Sequence, residues 1–540
     1  MGVGRGQAGL LVFVALLFAL VAFAMLARKI RLPYPIVLVL AGLAVSLVPG
    51  LPHVTLDPDA VFFVVLPPLL YAAAWNTSWR DFSYNLVSIS SLAIGLVAFT
   101  VTGVALAAPY ILPAFDWTTG FLLGAVVSPT DAVAATTIAR RMGLPRRIVD
   151  VLEGESLVND ATGLLALELG ISILASGMAP SAVHVVLRFG QLVAGGLTVG
   201  LLIGVLAQWV ENRIDDGPIE IAISIFVPYA AYLVAEGVHA SGVLAVVAAG
   251  VWLSRKSSQF FSPNVRIQVY SVWNALTFVL NGLVFLLIGL QLPYVLAAIR
   301  ESDLKTLVLS GAAFSALVIA LRLAWVFPGA RISYFIRSRL LHQRETTPPP
   351  RVLIVTGWAG MRGVVALAAA MALPDRMPGG APFPQRNLIV FLTFCVILAT
   401  LVVQGLTLPP LIRLLGVGGS TGPACEEREA RRLAIEAGLA HLQTSRPADR
   451  PDLHPIYDDL AHHYRQRLAD VVSDGDDADR GKRADPEQHR RLRDISRELA
   501  RIERNTAIRL RDEGRINDDV LRQIERDLDL AEARLVETQS

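Results

Sequence analysis

The chain has 540 residues, 54% of them hydrophobic and 17% charged, with a mean hydropathy of +0.52. Soluble domains carry about 25% charged residues, so this composition excludes an ordinary soluble domain and indicates a polytopic membrane protein. The net charge of +2 names no partner. The two cysteines, Cys395 inside an apolar run and Cys425 beyond one, offer neither a disulfide framework nor metal-ligand spacing.

The first apolar run, Leu10 to Leu26, resembles a secretory signal, with Ala22-Phe23-Ala24 as a cleavage site. Only Arg5 precedes it, however, and Arg28, Lys29 and Arg31 follow it, so it reads as a retained span whose C-terminal end is cytoplasmic. About 20 apolar residues cross a bilayer as a helix. On that measure the candidate spans are roughly 8–27, 33–50, 59–75, 84–108, 118–139, 148–175, 189–210, 218–237, 241–254, 268–292, 306–327, 351–373 and 388–412. The break at His239-Ala240-Ser241-Gly242 separates the eighth from the ninth. Alternate links carry most of the positive charge: Arg28, Lys29 and Arg31, then Arg80, then Arg140, Arg141, Arg146 and Arg147, and later Arg213, Arg255, Lys256, Arg266, Arg331, Arg337, Arg339 and Arg344. The opposite links are poor in Lys and Arg. The positive-inside rule therefore places the N-terminus outside and the C-terminus in the cytoplasm.

Two spans are interrupted. The fifth contains Ser128-Pro129-Thr130-Asp131, where Pro129 lacks an amide donor. The twelfth contains Gly357-Trp358-Ala359-Gly360-Met361-Arg362-Gly363, with three glycines around an intramembrane Arg. The two should run in opposite directions, as inverted repeats require, with five-span units over spans 2–6 and 9–13 and a site where the breaks cross. The expected fold is thus an all-α polytopic membrane protein: about thirteen transmembrane helices, two inverted five-helix repeats and two discontinuous crossing helices over residues 1–415. Residues 416–540 form a helical cytoplasmic tail, rich in charge, with Leu492, Ile495, Leu499 and Ile502 at helical spacing and a linker around Ser473–Arg483.

The sixth span carries the chemistry. At about 100° per residue, Glu155, Ser156, Asn159 and Asp160 fall within one arc of about 140°. Polar glue between membrane helices is usually Ser, Thr or Asn; two acids in a bilayer cost several kcal/mol unless they pair, face a cavity or bind a cation. An oxygen-only stripe suits a hard cation such as Na⁺, whereas soft metals call for Cys or His. Asp160 is the residue expected to carry exchange, since burial can raise a carboxyl pKa by about 3–5 from about 3.9. Proton and cation then compete for the same oxygens. The break at Pro129 frees backbone carbonyls, making Thr130 a candidate ligand, and Asp131 either caps the following half-helix or takes part in transport. Arg362 needs an acidic partner, for which Glu155 is the natural candidate. Arg322 is nearer the cytoplasmic end, where it either pairs or snorkels. Glu168, about 12 Å along the axis from Asp160, either lines an access funnel or pairs with another helix. Glu236 reads as structural.

Four motifs then converge. Ser-Pro-Thr-Asp-Ala-Val-Ala at 128–134, Glu-Gly-Glu-Ser-Leu-Val-Asn-Asp at 153–160, His-Ala-Ser-Gly-Val-Leu-Ala at 239–245 and Gly-Met-Arg-Gly at 360–363 resemble the monovalent cation/proton antiporters, and more specifically the NhaP and NHE type of sodium/proton exchanger. The resemblance covers roughly residues 10–415. It implies a thirteen-helix inverted-repeat fold, a homodimer in the plasma membrane and an elevator-like movement of a six-helix core. It also implies Na⁺ binding by Asp160 with Ser156 and Thr130, a structural ion pair of Glu155 with Arg362, and, from Asn159 in place of an Asp, electroneutral exchange. The expected cargo is Na⁺ or Li⁺ against H⁺, with K⁺ as the alternative cation. No enzymatic activity, bound cofactor or nucleic-acid partner is expected. A cation channel is a further alternative, weakened by the absence of a TVGYG-like filter, and an aspartyl hydrolase using Asp131 and Asp160 lacks the Gly-x-Gly-Asp context.

Overall fold

A computed structural model describes residues 2–48, 57–177, 181–297, 299, 304–342, 347–377, 382–418, 422–444, 454–473, 509 and 513. The chain divides into two compact units, Met1–Ser420 and Thr421–Ser540. The first unit is built from helices α1 (Gly2–Lys29), α2 (Tyr34–Ser46), α3 (Leu66–Asn76), α4 (Trp79–Ser90), α5 (Val97–Ile111), α6 (Trp117–Val127), α7 (Ala132–Arg141) and α8 (Arg146–Ser176). It continues through α9 (Ala182–Glu211), α10 (Gly217–Gly237), α11 (Gly242–Phe260), α12 (Pro263–Leu290), α13 (Leu292–Ala297), α14 (Leu304–Phe335), α15 (Pro350–Trp358), α16 (Val364–Met371), α17 (Arg386–Ala399) and α18 (Gly405–Leu415). Wider π-helical turns lead into α3 at Ala60–Val65, join α4 to α5 at Ser91–Leu96, extend α14 at Ile336–Leu340 and join α17 to α18 at Thr400–Gln404.

Among the described residues, eight helical segments are long and apolar enough to cross a membrane, or nine if the pair α6–α7, bent by 43°, counts as one span. Segments 34–46 and 60–76 are shorter apolar helices. The outer surface agrees with a lipid environment: α1 exposes Leu10, Leu11, Phe13, Val14, Phe18 and Met25, an apolar face that water would penalise. At the start of α11, His239 adopts a left-handed φ of 57°, and the Ser241 side chain accepts from Leu244 N at 3.3 Å. The chain thus turns between α10 and α11 and caps the second.

Buried residues form one core in which α5, α6, α7, α8, α16 and α17 meet, and a second formed mainly by α3, α10 and α11. Helix α8 contributes to both: Leu152 packs in the first and Leu157 in the second. That helix therefore stands where the two cores adjoin.

In the second unit, α19 (Gly422–Thr444) and α20 (His454–Ser473) pack together, with the Tyr464 ring against Gly438. Beyond them, Arg509 and Glu513 form an i,i+4 pair at 3.9 Å. The proposed apolar stripe Leu492, Ile495, Leu499 and Ile502, and the linker residues after Ser473, lie outside the described residues.

Candidate ion-binding site

Both sequence interruptions are breaks in the helices, and they meet. Pro129 cannot donate to the ladder, so α6 ends at Val127 and the chain stays non-helical through Asp131. Asp131 then caps α7, its carboxylate accepting from Val133 N at 2.8 Å. Opposite, α15 ends at Trp358, and α16 restarts at Val364. The backbone amide of Asp131 donates to the Met361 carbonyl at 2.9 Å, which ties one break directly to the other.

Arg362 closes this crossing. Its Nη1 donates to the carbonyls of Ser128 and of Pro129, the latter at 3.0 Å. These are the carbonyls that an interrupted helix leaves without intrahelical donors, at the negative end of the α6 dipole. A guanidinium satisfies both needs at once. The Arg362 amide is held in turn by Thr400 Oγ1 at 3.0 Å, presented by the π-helical turn between α17 and α18.

The expected Glu155–Arg362 pair is corrected by the structure. Glu155 is paired with Arg322 of α14: Nη1 reaches Oε1 at 2.5 Å and Nη2 reaches Oε2 at 2.8 Å, a bidentate contact. Arg322 is 1% exposed, so it does not snorkel, and its Nε also donates to the Gly357 carbonyl at 3.1 Å. Two buried arginines thus divide two tasks. Arg322 neutralises the acid, and Arg362 caps the broken helix.

Around Thr130 the stripe of α8 becomes a hydrogen-bonded wall. Thr130 Oγ1 donates to Glu155 Oε1 at 3.0 Å and accepts from Asn159 Nδ2 at 2.5 Å. Ser156 Oγ donates to the Thr130 carbonyl at 2.8 Å and accepts from Ala132 N at 3.3 Å. Glu155, Asn159 and Thr130 are thereby committed to one another.

Asp160 is different. It is 4% exposed, and among the described residues neither carboxylate oxygen has a hydrogen-bond or ion-pair partner. It faces a cavity of about 230 Å³ whose lining includes Thr130, Asp131, Ser156 and Gly363. Asn281 and Thr277 of α12 line the same space. Sequence reading missed both, although an Asn inside an apolar span is itself a signal. The cavity also reaches Arg140 and Glu153, an ion pair at 2.7 Å whose Arg side chain is 61% exposed. Asp160 therefore sits in the wall of a cavity with a polar mouth.

The remaining sequence candidates lie elsewhere. Glu168 faces outward and pairs with Arg188 of α9 at 3.4 Å, away from the cavity lining. Glu236 accepts from Gly242 N at 3.2 Å, fastening the turn before α11.

Close approach explains two glycines. A Cβ at Gly360 would overlap the side chain of Arg322, and one at Gly363 would overlap the Asp131 carboxylate. Arg322 is pinned at its far end by Glu155 and cannot retreat. Gly360→Ala is therefore expected to destabilise the protein by about 1–3 kcal/mol, read as a lowered melting temperature of the purified protein. An unchanged melting temperature would contradict the packing described.

A helical membrane protein in which two discontinuous helices cross over buried carboxylates belongs to the class of secondary transporters with broken crossing spans. Comparison with known proteins narrows this. The family model described as "Sodium/hydrogen exchanger, transmembrane" matches residues 13–414. The chain is 35% identical over 534 residues, 98% of its own length and 96% of the relative's, to "Uncharacterized Na(+)/H(+) exchanger Rv2287" of Mycobacterium tuberculosis. It is 30% identical over 460 residues, 82% of its length and 66% of the relative's, to the "Sodium, potassium, lithium and rubidium/H(+) antiporter" of Bacillus pumilus. In fold it resembles the sodium proton antiporter MjNhaP1 of Methanocaldococcus jannaschii, with a TM-score of 0.57 at 17% identity, over 76% of this chain and all of that one. The chain belongs to the sodium/hydrogen exchanger family.

Proposed function

We propose that the protein exchanges Na⁺ or Li⁺ for H⁺ across the plasma membrane, with cation and proton competing for Asp160. The observation that carries this reading is Asp160 itself: a buried carboxylate, without a protein partner among the described residues, facing a cavity. A charge so placed needs a counter-ion or a proton, and one site that accepts either but not both is an antiporter. Ser156 and the Thr130 carbonyl are the ligands proposed beside it. Both already bond to each other, but hydroxyl and carbonyl oxygens carry a further lone pair for a cation. Asp131 caps α7 and adds negative potential to the same cavity.

The stoichiometry proposed is electroneutral, one for one. Glu155 is neutralised by Arg322, and the residue before Asp160 is the amide Asn159, so Asp160 is left as the exchanging acid of α8. Each unit of pH difference, worth about 1.4 kcal/mol, then sustains a roughly tenfold cation gradient. The topology proposed has thirteen spans in two inverted five-helix repeats, an outside N-terminus and cytoplasmic α19 and α20. In it the link 141–146 is cytoplasmic, and the cavity mouth at Arg140 and Glu153 opens inward. A homodimer and an elevator-like movement complete the reading. The ions are cargo; no cofactor or catalytic step enters it.

K⁺ is the second reading, favoured by the name of the Bacillus pumilus relative, which includes potassium and rubidium. The test is cation-driven collapse of a pH gradient in proteoliposomes, comparing Na⁺, Li⁺ and K⁺ with the membrane potential clamped at two values. Response to Na⁺ or Li⁺, independent of potential, is expected. A response to K⁺ alone changes the cargo, a potential-dependent rate overturns the stoichiometry, and no response to any cation from acid to alkaline pH overturns antiport.

A further inference from the structure

A second cavity, of about 260 Å³, lies between α4, α8, α14 and α15, apart from the one that holds Asp160. Its polar end is formed by Arg147, Arg337, Ser88 and Ser333, and its walls include Leu92 and Leu353. Arg337 is 1% exposed, and its guanidinium is stacked on the Tyr84 ring at 4.4 Å from the ring centre, so its position is set by packing. Ser88 and Ser333 hold each other at 2.9 Å, and Arg147 Nε donates to Asn85 Oδ1 at 3.2 Å. Helix α15 begins at this cavity: Pro349 lines it and stands at the N-cap, with no side-chain cap. The positive end of a nine-residue helix therefore faces the same space as two guanidiniums. No carboxylate is among the described residues that line it.

We propose that this cavity binds the phosphate of an anionic phospholipid from the cytoplasmic leaflet, an inference that rests on the orientation proposed above. Two arginines and the serine hydroxyls recognise a phosphate, and the positive end of the α15 dipole adds to the attraction, although the Val352 and Leu353 amides are already bonded to the Pro349 carbonyl. The apolar wall accepts the adjoining glycerol and the first methylenes, which a free anion lacks. The volume lies just below the range of about 300–1,000 Å³ typical of pockets for whole drug-sized ligands, which suits a headgroup rather than an entire lipid. The site also touches the ion-binding machinery. Thr356 lines it, and the Thr356 carbonyl accepts from Arg322 Nη2 at 3.4 Å.

The experiment is native mass spectrometry of the delipidated full-length protein titrated with phosphatidylglycerol, phosphatidylcholine or inorganic phosphate. One tightly held phosphatidylglycerol is expected on the wild type. Arg147→Gln, at a surface position, and Ala330→Leu, which fills the cavity, should each weaken it about tenfold or more, whereas Arg331→Gln on the exposed side of α14 should not. Melting temperatures establish that each variant is folded, and Arg147→Gln carries the test if Ala330→Leu is not. Equal retention by wild type and Arg147→Gln would overturn the site. Equal affinity for phosphatidylcholine would overturn the requirement for net negative charge. Full displacement by inorganic phosphate would make it a free-anion site and overturn the lipid assignment. All of these readouts are independent of ion exchange, so their failure is distinct from failure of the antiporter reading.

Discussion

Asp160→Asn is expected to abolish cation-driven proton movement, reducing it to the rate of protein-free liposomes, while leaving the fold intact. The substitution is nearly isosteric, and among the described residues the Asp160 carboxylate makes no hydrogen bond that the amide would break. What disappears is the titratable charge. A unit charge attracts a cation 4 Å away by about 4 kcal/mol at an effective dielectric of 20, which corresponds to about a thousandfold in affinity. An amide also cannot bind and release a proton near neutral pH. Flux assays with Na⁺ and Li⁺ on the two proteins, matched for amount in the membrane, decide the matter. Residual exchange in the variant would move the exchanging site elsewhere, with Asp131 in the same cavity as the next residue to replace.

Breaking the buried ion pair is expected to act on stability. Glu155→Gln leaves Arg322 charged, 1% exposed and without its carboxylate, a situation that costs about 3–5 kcal/mol when one partner of a buried pair is removed. It also disturbs Thr130, whose hydroxyl donates to Glu155. Removing both charges together, in Glu155→Gln/Arg322→Met, should restore much of the loss, because no uncompensated ion remains. A double-mutant cycle on thermal unfolding measures this directly. Strong coupling is expected between Glu155 and Arg322, and weak coupling between Glu155 and Arg362. The reverse ranking would restore the pairing expected from sequence and refute the geometry described. Arg362→Gln should fail for another reason: it withdraws a charged donor from the Ser128 and Pro129 carbonyls at the end of α6.

These two predictions divide the stripe of α8 into halves that its sequence does not distinguish. Glu155 and Asp160 are both acids on the same face of one helix. Glu155 is buried for structure, locked to Arg322 and Thr130. Asp160 is left facing a cavity. The exchange proposed at Asp160 rests on that inequality, since an acid without a fixed counter-charge is the one free to alternate between a proton and a cation.

Much of this was legible in the residues themselves. Apolar runs of bilayer length leave the backbone one economical structure, the helix, so the helices follow from hydropathy. Pro129 removes a donor and the glycines around Arg362 weaken a helix, so both breaks are local properties of the chain. The oxygen-rich stripe of Glu155, Ser156, Asn159 and Asp160 follows from helical periodicity, as does its unsuitability for soft metals. What the sequence left undecided is every choice between partners of equal charge. An intramembrane Arg demands an acceptor, but hydrophobic cost does not say which one. The rotation and axial offset of α14 against α8 bring Arg322 to Glu155, and the crossing of the two breaks brings Arg362 to the carbonyls of α6. The same packing sends Glu168 outward to Arg188 and adds Asn281 to the cavity. Local chemistry determined which groups must be satisfied, and tertiary packing alone decided by whom, because pair energies depend on distances that no spacing along the chain encodes.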